Sequence, residues 1–244
     1  MRGKKDEVSL NLLNIIKNND SNELERYLKE HDVNEEIQGQ NLLTWTVYLG
    51  NWGFTNLLIE KGASVNKKDR LGRTPLSIAA FFGFVDIARL LLDNNAIIDA
   101  MCMDRAYTGW EGHIQTDILD LFREHGWICV FLDDLRDIPE GFTGARTIEE
   151  AIYLIENNRL HILSLDHDLG MDDQGNLLPT GYDLVKYICQ KGLRPANKIH
   201  IHTDNVVGRE NMYQTLIAAQ RRGFIDDEIE IYHYPLTANR YSGS

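Results

Sequence analysis

The hydrophobic positions in the first half of the chain recur at a fixed spacing. Residues 39–43, Gly-Gln-Asn-Leu-Leu, match residues 72–76, Gly-Arg-Thr-Pro-Leu, at an offset of 33 positions. The same offset relates further glycines and apolar residues, namely Gly50 to Gly83, Leu57 and Leu58 to Leu90 and Leu91, and Ala63 to Ala96. Because turn and core positions share one period, the pattern predicts a stack of similar helical units that bury their apolar faces against each other.

Each unit is predicted to contain two helices. Thr74 is a suitable N-cap, Pro75 fits the first helical position, and Gly83 can end the helix. The apolar residues of the two helices are Leu76, Ala79 and Ala80, then Ile87, Leu90 and Leu91. Degenerate copies are predicted at residues 10–34, with Leu10, Leu12, Leu13 and Ile16, and at residues 112–126. The array therefore has about four units with atypical ends.

This unit resembles the ankyrin repeat, most closely at Thr74-Pro75-Leu76, Ala79-Ala80 and Gly83. Ser77 stands where that repeat usually has His. The resemblance implies an α-helical solenoid at residues 1–126 that binds a protein partner along its surface. Several aromatic residues are candidates either for that surface or for packing, between repeats or against the second domain: Trp45, Tyr48, Trp52, Phe81, Phe82 and Phe84.

From residue 127 onward, short apolar runs alternate with amphipathic segments. The runs at residues 128–132, 162–165, 198–202 and 228–232 predict strands. Helices are predicted after Thr147, at 182–189 and at about 211–220, and a capping box of Thr147 and Glu150 opens the first. This alternation favours a parallel sheet with helices on both faces, so we expect an α/β domain at residues 127–244 after the α-helical one.

Acidic and other polar residues follow the predicted strands. Asp133 and Asp134 come after the first strand, Asp166 and Asp168 after the second, and Thr203 after the third. In a parallel sheet these positions share one edge, where such folds bind ligands. Carboxylates gathered there repel one another unless a cation offsets them, which favours a Mg²⁺ or Mn²⁺ site. The alternative is that these residues form turns and helix caps.

This arrangement resembles the receiver domain of two-component response regulators, a flavodoxin-like, three-layer fold. The resemblance implies that Asp133 and Asp134 are the acidic pair, Asp166 the phospho-acceptor and Thr203 the switch hydroxyl. Two departures count against phosphorelay signalling. Tyr234 replaces the receiver's lysine, and residues 135–146 are too few for the usual helix and strand. At most, a short strand is expected at residues 142–146.

A divergent receiver family with predicted cyclic-phosphate processing is the closer resemblance. The matching stretches are residues 131–136, 165–170, 180–184 and 200–205, followed by Gly208, Arg209, Asn211 and Met212. They cover nearly all of residues 128–235. The resemblance suggests a link to cyclic nucleotides or RNA ends.

We assign candidate roles from the chemistry of each side chain. Four carboxylates are candidate metal ligands: Asp133, Asp134, Asp166 and Asp168. Asp166, His202 and Thr203 are candidate catalytic residues, since imidazole titrates near neutrality. The candidate substrate contacts are Arg136, His167, Asn205 and Arg209, because guanidinium groups bind phosphate bidentately. His167 has the alternative of being a packed, hydrogen-bonded histidine.

The composition of the chain makes some classes of binding partner improbable. With 25 Lys and Arg against 37 Asp and Glu, the net charge is −12, which disfavours non-specific binding to DNA. No apolar run approaches the roughly 20 residues of a membrane span, and the N-terminal residues lack a signal-peptide pattern. Three scattered cysteines predict reduced thiols and a cytoplasmic protein.

Three functions remain open at this stage. The first is a metal-dependent phosphoesterase, acting on a cyclic phosphate, a nucleotide or an RNA end and directed to its place by the repeats. The second is a receiver-like module that senses a ligand or a phosphoryl group without turning it over. The third is an adaptor in which both halves bind proteins.

Overall fold

A computed structural model describes residues 12, 14–37, 39–171 and 174–235. Leu10 and Leu13 of the predicted first repeat lie outside these residues, as do the outer ends of both predicted domains. The chain divides into two compact units between Leu121 and Phe122, close to the predicted boundary at residues 126 and 127. Among the described helices, none combines the length and the apolar character needed to cross a membrane.

The first unit consists of paired helices. Residues 14–17 are helical and precede the elements α1 (Ser21–Leu28), β1 (Glu36–Ile37), β2 (Gln40–Asn41), α2 (Leu42–Tyr48), α3 (Trp52–Glu60), α4 (Pro75–Phe82), α5 (Val85–Asp93) and α6 (Ala100–Thr108). Helix α7 (Thr116–Glu124) follows and includes the division between Leu121 and Phe122. The predicted start and end of α4 are confirmed. Thr74 and Ser77 form a reciprocal capping box, and Gly83 ends the helix with a φ of 71°.

Asparagine side chains connect neighbouring repeats in the same way at two places. Asn34 Oδ1 accepts the Ser64 N–H at 2.8 Å, and Asn66 Oδ1 accepts the Ile97 N–H at 2.8 Å. The Asn66 amide also donates to the Asn95 carbonyl oxygen at 2.9 Å. These bonds satisfy loop backbone groups that lack a partner within their own repeat, so they fix the stacking of the helical pairs.

The aromatic residues of the repeats both pack and remain accessible. The Phe82 ring lies 5.2 Å from Tyr48 of the preceding repeat and 5.2 Å from Trp110, which comes just after α6. Tyr48 and Trp110 still expose 41% and 51% of their surface, and Trp52 exposes 48%. The rings therefore stack between repeats and leave an aromatic edge open to solvent.

The second unit is built on a parallel five-stranded sheet. The elements are β3 (Trp127–Leu132), β4 (Thr143–Ala145), α8 (Ile148–Asn157), β5 (Arg159–Leu165), α9 (Gly181–Lys191), β6 (Lys198–Ile201), α10 (Val206–Arg221) and β7 (Glu230–Tyr232). The strand order is β4-β3-β5-β6-β7, the order of a flavodoxin-like fold. The expected short strand at residues 142–146 is β4, reached from β3 without a helix.

Helices α8, α9 and α10 pack on one face of this sheet. The core there joins alternate strand residues, such as Val130, Leu163 and Ile199, to helix residues such as Val185 and Leu216. The opposite face carries Cys129, Phe131, Ser164, His200 and His202, all buried. This second face differs because it contains polar side chains, two of which belong to the candidate site.

Candidate active site

Three buried polar residues meet at the carboxyl edge of the sheet because neighbouring strands end in register. Leu132 of β3 pairs with Leu165 of β5, which pairs with Ile201 of β6. The next residues along the chain are Asp133, Asp166 and His202. Each offers one ligand atom, and these atoms lie within 4.8 Å of one another.

The carboxylate groups of Asp133 and Asp166 make the same kinds of contact. Asp133 Oδ1 accepts the backbone N–H groups of Leu135 and Arg136, at 2.9 and 2.6 Å. Asp166 Oδ1 accepts the N–H of His167 at 2.6 Å. In both residues the backbone therefore holds one oxygen, and the other, Oδ2, faces the centre of the site.

Arg136 links the two inward-facing oxygens. Its Nη1 lies 2.8 Å from Oδ2 of Asp133 and 2.8 Å from Oδ2 of Asp166, and Nη2 lies 2.7 Å from the exposed Asp204. The hydrogen bond to Asp133 and the nearby carboxylates raise the pKa of Arg136. The charge repulsion expected from the sequence is thus offset here by a guanidinium group.

Asp133 is ionised in this environment. Burial by itself raises the pKa of the carboxyl group, but the hydrogen bonds from Arg136, Leu135 and His202 outweigh it. The pKa of Asp133 falls from 3.8 to about 2. Arg146, which the sequence analysis missed, donates to the carbonyl oxygens of Asp133 and Arg136 at 2.7 and 2.8 Å and fixes this turn.

His202 is held on three sides. Its Nε2 lies 3.1 Å from Asp133 Oδ2, its Nδ1 lies 2.8 Å from Ser164 Oγ, and its ring stacks on Phe131 at 4.3 Å. Burial lowers the pKa of His202 more than the hydrogen bond to Asp133 raises it, so the neutral ring is favoured. An ionised carboxylate only accepts hydrogen bonds, so Nε2 carries the proton and Ser164 donates to Nδ1.

Ser164 was also missed by the sequence analysis, although a signal was present. It interrupts the apolar run of β5 two residues before Asp166, and residues at this spacing share a face of a strand. A serine hydroxyl can donate or accept a hydrogen bond. Ser164 is therefore compatible with either neutral tautomer of His202, including the one that frees Nε2 for a metal ion.

The remaining predicted metal ligands lie outside this group of three. The exposed Asp168 pairs with His167, whose Nδ1 is 2.6 Å away, and with the Asn205 amide at 3.2 Å. These contacts lower the pKa of Asp168 although burial opposes the shift. Asp134 is half-buried beside Gly170, where an added Cβ would come within 2.8 Å of Asp134 Oδ2.

The loop from β6 to α10 contains the other predicted residues. Thr203 is buried, and its Oγ1 accepts the Asn205 N–H at 3.2 Å. Asn205 caps α10 by accepting the Gly208 N–H at 2.8 Å. Arg209 is half-buried in the first turn of that helix, and its backbone N–H donates to the Asn205 carbonyl oxygen at 2.8 Å.

Two glycines allow the helices to approach these loops closely. A Cβ on Gly181, the first residue of α9, would lie 1.9 Å from the carbonyl oxygen of Asp166. A Cβ on Gly208 of α10 would lie 2.3 Å from the His167 ring. The starts of α9 and α10 therefore pack directly against the segment that carries Asp166 and His167.

The donor set suits a divalent cation chemically. Two carboxylate oxygens and one imidazole nitrogen are ligands that Mn²⁺ accepts, and Mg²⁺ accepts the carboxylates. Asp133, Asp166 and His202 are the residues that would hold such an ion. Arg136 Nη1 lies between the same two carboxylate oxygens, so the ion and the guanidinium group compete for them.

Comparisons with known proteins match a family to each half of the chain. Residues 12–102 match the model of ankyrin repeats in three copies, and residues 128–218 match the cyclic-phosphate processing receiver domain. The mouse protein phosphatase 1 regulatory subunit 27 is 28% identical over 135 residues, covering 54% of this chain and 75% of the relative. Its human counterpart is 31% identical over 111 residues, covering 44% and 68%. The chain is thus an ankyrin-repeat protein whose second half is a receiver domain of the cyclic-phosphate processing family.

Proposed function

We propose that the receiver domain is a divalent-metal-dependent phosphoesterase acting on cyclic or terminal phosphates of nucleotides or RNA, directed by an ankyrin array that binds a protein partner in the cytoplasm. One observation carries the proposal. Asp133, Asp166 and His202 converge within 4.8 Å at the sheet edge, with a guanidinium group beside them. The family match to cyclic-phosphate processing supports the choice of substrate.

Each residue has a defined task in this proposal. A divalent ion held by Asp133, Asp166 and His202 would supply Lewis-acid activation of a phosphate ester. Arg136 binds phosphate oxygens through its paired N–H groups and offsets their charge. The buried Ser164 hydroxyl keeps the His202 ring oriented, and Thr203 and Asn205 shape the turn beside the substrate.

Hydrolysis of 2′,3′-cyclic nucleotides in Mn²⁺ or Mg²⁺ tests the proposal. We expect Asp166→Asn and His202→Gln to lose most of the activity, on the order of 100-fold or more, if these groups act directly. Asp226→Asn is a matched control, because Asp226 also accepts hydrogen bonds from an arginine and a backbone N–H, but away from the site. Equal turnover by Asp166→Asn and the unmodified chain would contradict the proposal.

A second candidate function is a non-catalytic adaptor, and two observations favour it. Arg136 already forms ion pairs with Asp133 and Asp166, so the charge of these carboxylates is offset without a metal ion. The curated relatives are named as regulatory subunits of a protein phosphatase. In this case the ankyrin array would bring the receiver domain to a protein phosphatase, and the receiver domain would sense phosphate without cleaving it.

Binding of the full chain to purified protein phosphatase 1 catalytic subunit tests the adaptor. The variant to compare is Trp110→Ala, because Trp110 is exposed at the aromatic edge of the repeats. Loss of binding in this variant with unchanged hydrolysis would assign the partner to the repeats. No binding by the unmodified chain would reject this phosphatase as the partner.

A further inference from the structure

Arg136 holds the position in which the proposed metal ion would be bound. One nitrogen, Nη1, lies 2.8 Å from Oδ2 of Asp133 and 2.8 Å from Oδ2 of Asp166. The Oδ1 atoms of both residues are engaged by backbone N–H groups. The two Oδ2 atoms are thus the inward ligands that the site offers, and the guanidinium group uses both.

We propose that Arg136 is a resident counter-ion that a divalent cation displaces, and that the released guanidinium group then binds the phosphate; this inference rests on the proposed function. A divalent ion bound to the same two oxygens repels the positive guanidinium group at this distance, which drives Arg136 out of its resident position. The buried carboxylates therefore keep a cationic partner in both states.

The surroundings of Arg136 permit this exchange. Its side chain is 40% exposed, whereas those of Asp133 and Asp166 are 1% and 9% exposed. Its second nitrogen, Nη2, already reaches out to Asp204, whose side chain is 97% exposed. A rotation toward Asp204 keeps one ion pair and presents the planar fork at the mouth of the site, where it can bind phosphate bidentately.

The exchange couples the two ligands. Metal binding releases Arg136 for the phosphate, and phosphate holds Arg136 away from the carboxylates. By linkage, each ligand then raises the affinity for the other by the same factor. The structure of the site thus favours a cation and a phosphate together over a cation alone.

Calorimetric titration of the full chain with MnCl₂ tests the inference without relying on catalysis. We expect Arg136→Gln to bind Mn²⁺ about tenfold more tightly than the unmodified chain, within the usual range of coupling between sites. Inorganic phosphate should tighten Mn²⁺ binding in the unmodified chain and leave Arg136→Gln unchanged. Arg194→Gln is the matched control, because Arg194 Nη1 also bridges two carboxylates, Asp226 and Glu228, and we expect no change there.

A second variant guards against misfolding of Arg136→Gln. Arg136→Lys keeps the positive charge but loses the planar fork and its reach to Asp204, so we expect normal folding and Mn²⁺ binding between that of Arg136→Gln and that of the unmodified chain. Equal or weaker Mn²⁺ binding by both variants than by the unmodified chain would overturn the inference while leaving the metal site intact. If no chain binds Mn²⁺, the metal-dependent function fails as well, and the inference fails with it.

Discussion

At the scale of single residues, the site depends on side chains that connect its charged groups. The sequence predicted Asp133, Asp166 and His202 because polar residues directly after strands share one edge. It did not predict that Arg136 links the carboxylates or that Ser164 orients His202, because such contacts depend on side-chain rotamers and on strand register. Arg136 was assigned to phosphate, and its ion pairs with Asp133 and Asp166 add a second role.

The hydrogen bond from Ser164 to His202 contributes to stability. Ser164→Ala leaves Nδ1 of a buried imidazole without a partner, which costs on the order of 1–3 kcal/mol in the free energy of unfolding. Urea unfolding followed by circular dichroism measures this loss. Tyr187→Phe is the control, because it removes a hydrogen bond to Glu156 at the surface and we expect little change. Equal stability of Ser164→Ala and the unmodified chain would contradict the assigned contact.

The free energy of unfolding depends on pH because the pKa of Asp133 is lower in the folded chain than in the unfolded chain. Its pKa is about 2 in the folded chain and 3.8 as the ordinary value, so the unfolded chain binds the proton first as the pH falls. The stabilisation, roughly 2 kcal/mol, is complete above about pH 5 and is lost as the pH falls through about 2. We expect Asp133→Asn to be less stable than the unmodified chain at pH 6, and the difference to shrink in that acid range. A difference independent of pH would contradict this account.

At the scale of elements, hydrophobic patterns predicted most helices and strands, and tertiary contacts set their ends. The run at residues 128–132 corresponds to β3, and the short connection to β4 was expected from its length. The helix expected at about 211–220 is longer, Val206–Arg221, because Asn205 caps it and Gly208 allows the close approach to His167. A sequence without its tertiary contacts does not specify where such a helix begins.

The approach of α9 to the site loop requires glycine at position 181. In Gly181→Ala the new Cβ would lie 1.9 Å from the Asp166 carbonyl oxygen, and a backbone atom cannot move aside without shifting the site. We expect a loss of about 1–3 kcal/mol, as for overpacked positions, together with weaker metal binding. In Gly53→Ala, where the added Cβ of a helical residue would meet only Asn51 Oδ1 at 3.8 Å, we expect unchanged or slightly higher stability. Thermal unfolding separates the two outcomes, and equal melting temperatures would show that the contact is not restrictive.

At the scale of the whole molecule, the described residues form two compact units, which divide between Leu121 and Phe122. The 33-residue period and the change to short apolar runs predict a boundary at residues 126 and 127. Buried cysteines lie in both units. Cys102 is buried in α6 of the repeats and Cys129 in β3 of the receiver domain, so each thiol reports the opening of its own unit.

Thiol labelling of the full chain therefore measures the effect of metal on each unit. At one hundred times its dissociation constant, a cation bound only by the folded domain stabilises it by about 2.7 kcal/mol, which slows labelling of Cys129 about 100-fold. We expect Mn²⁺ to leave the labelling rate of Cys102 unchanged. Asp166→Asn should remove the effect on Cys129. Equal slowing of both thiols would mean that Mn²⁺ acts outside the proposed site.

Binding of a divalent cation by Asp133, Asp166 and His202 can be measured at the residues themselves. The measurement is paramagnetic broadening of the ring signals of the eight histidines during a titration of the full chain with substoichiometric Mn²⁺. We expect the His202 signals to broaden first and Asp166→Asn to abolish this selectivity. Sharp His202 signals while other histidines broaden, or the same broadening in Asp166→Asn, would show that the cation does not bind at these three residues.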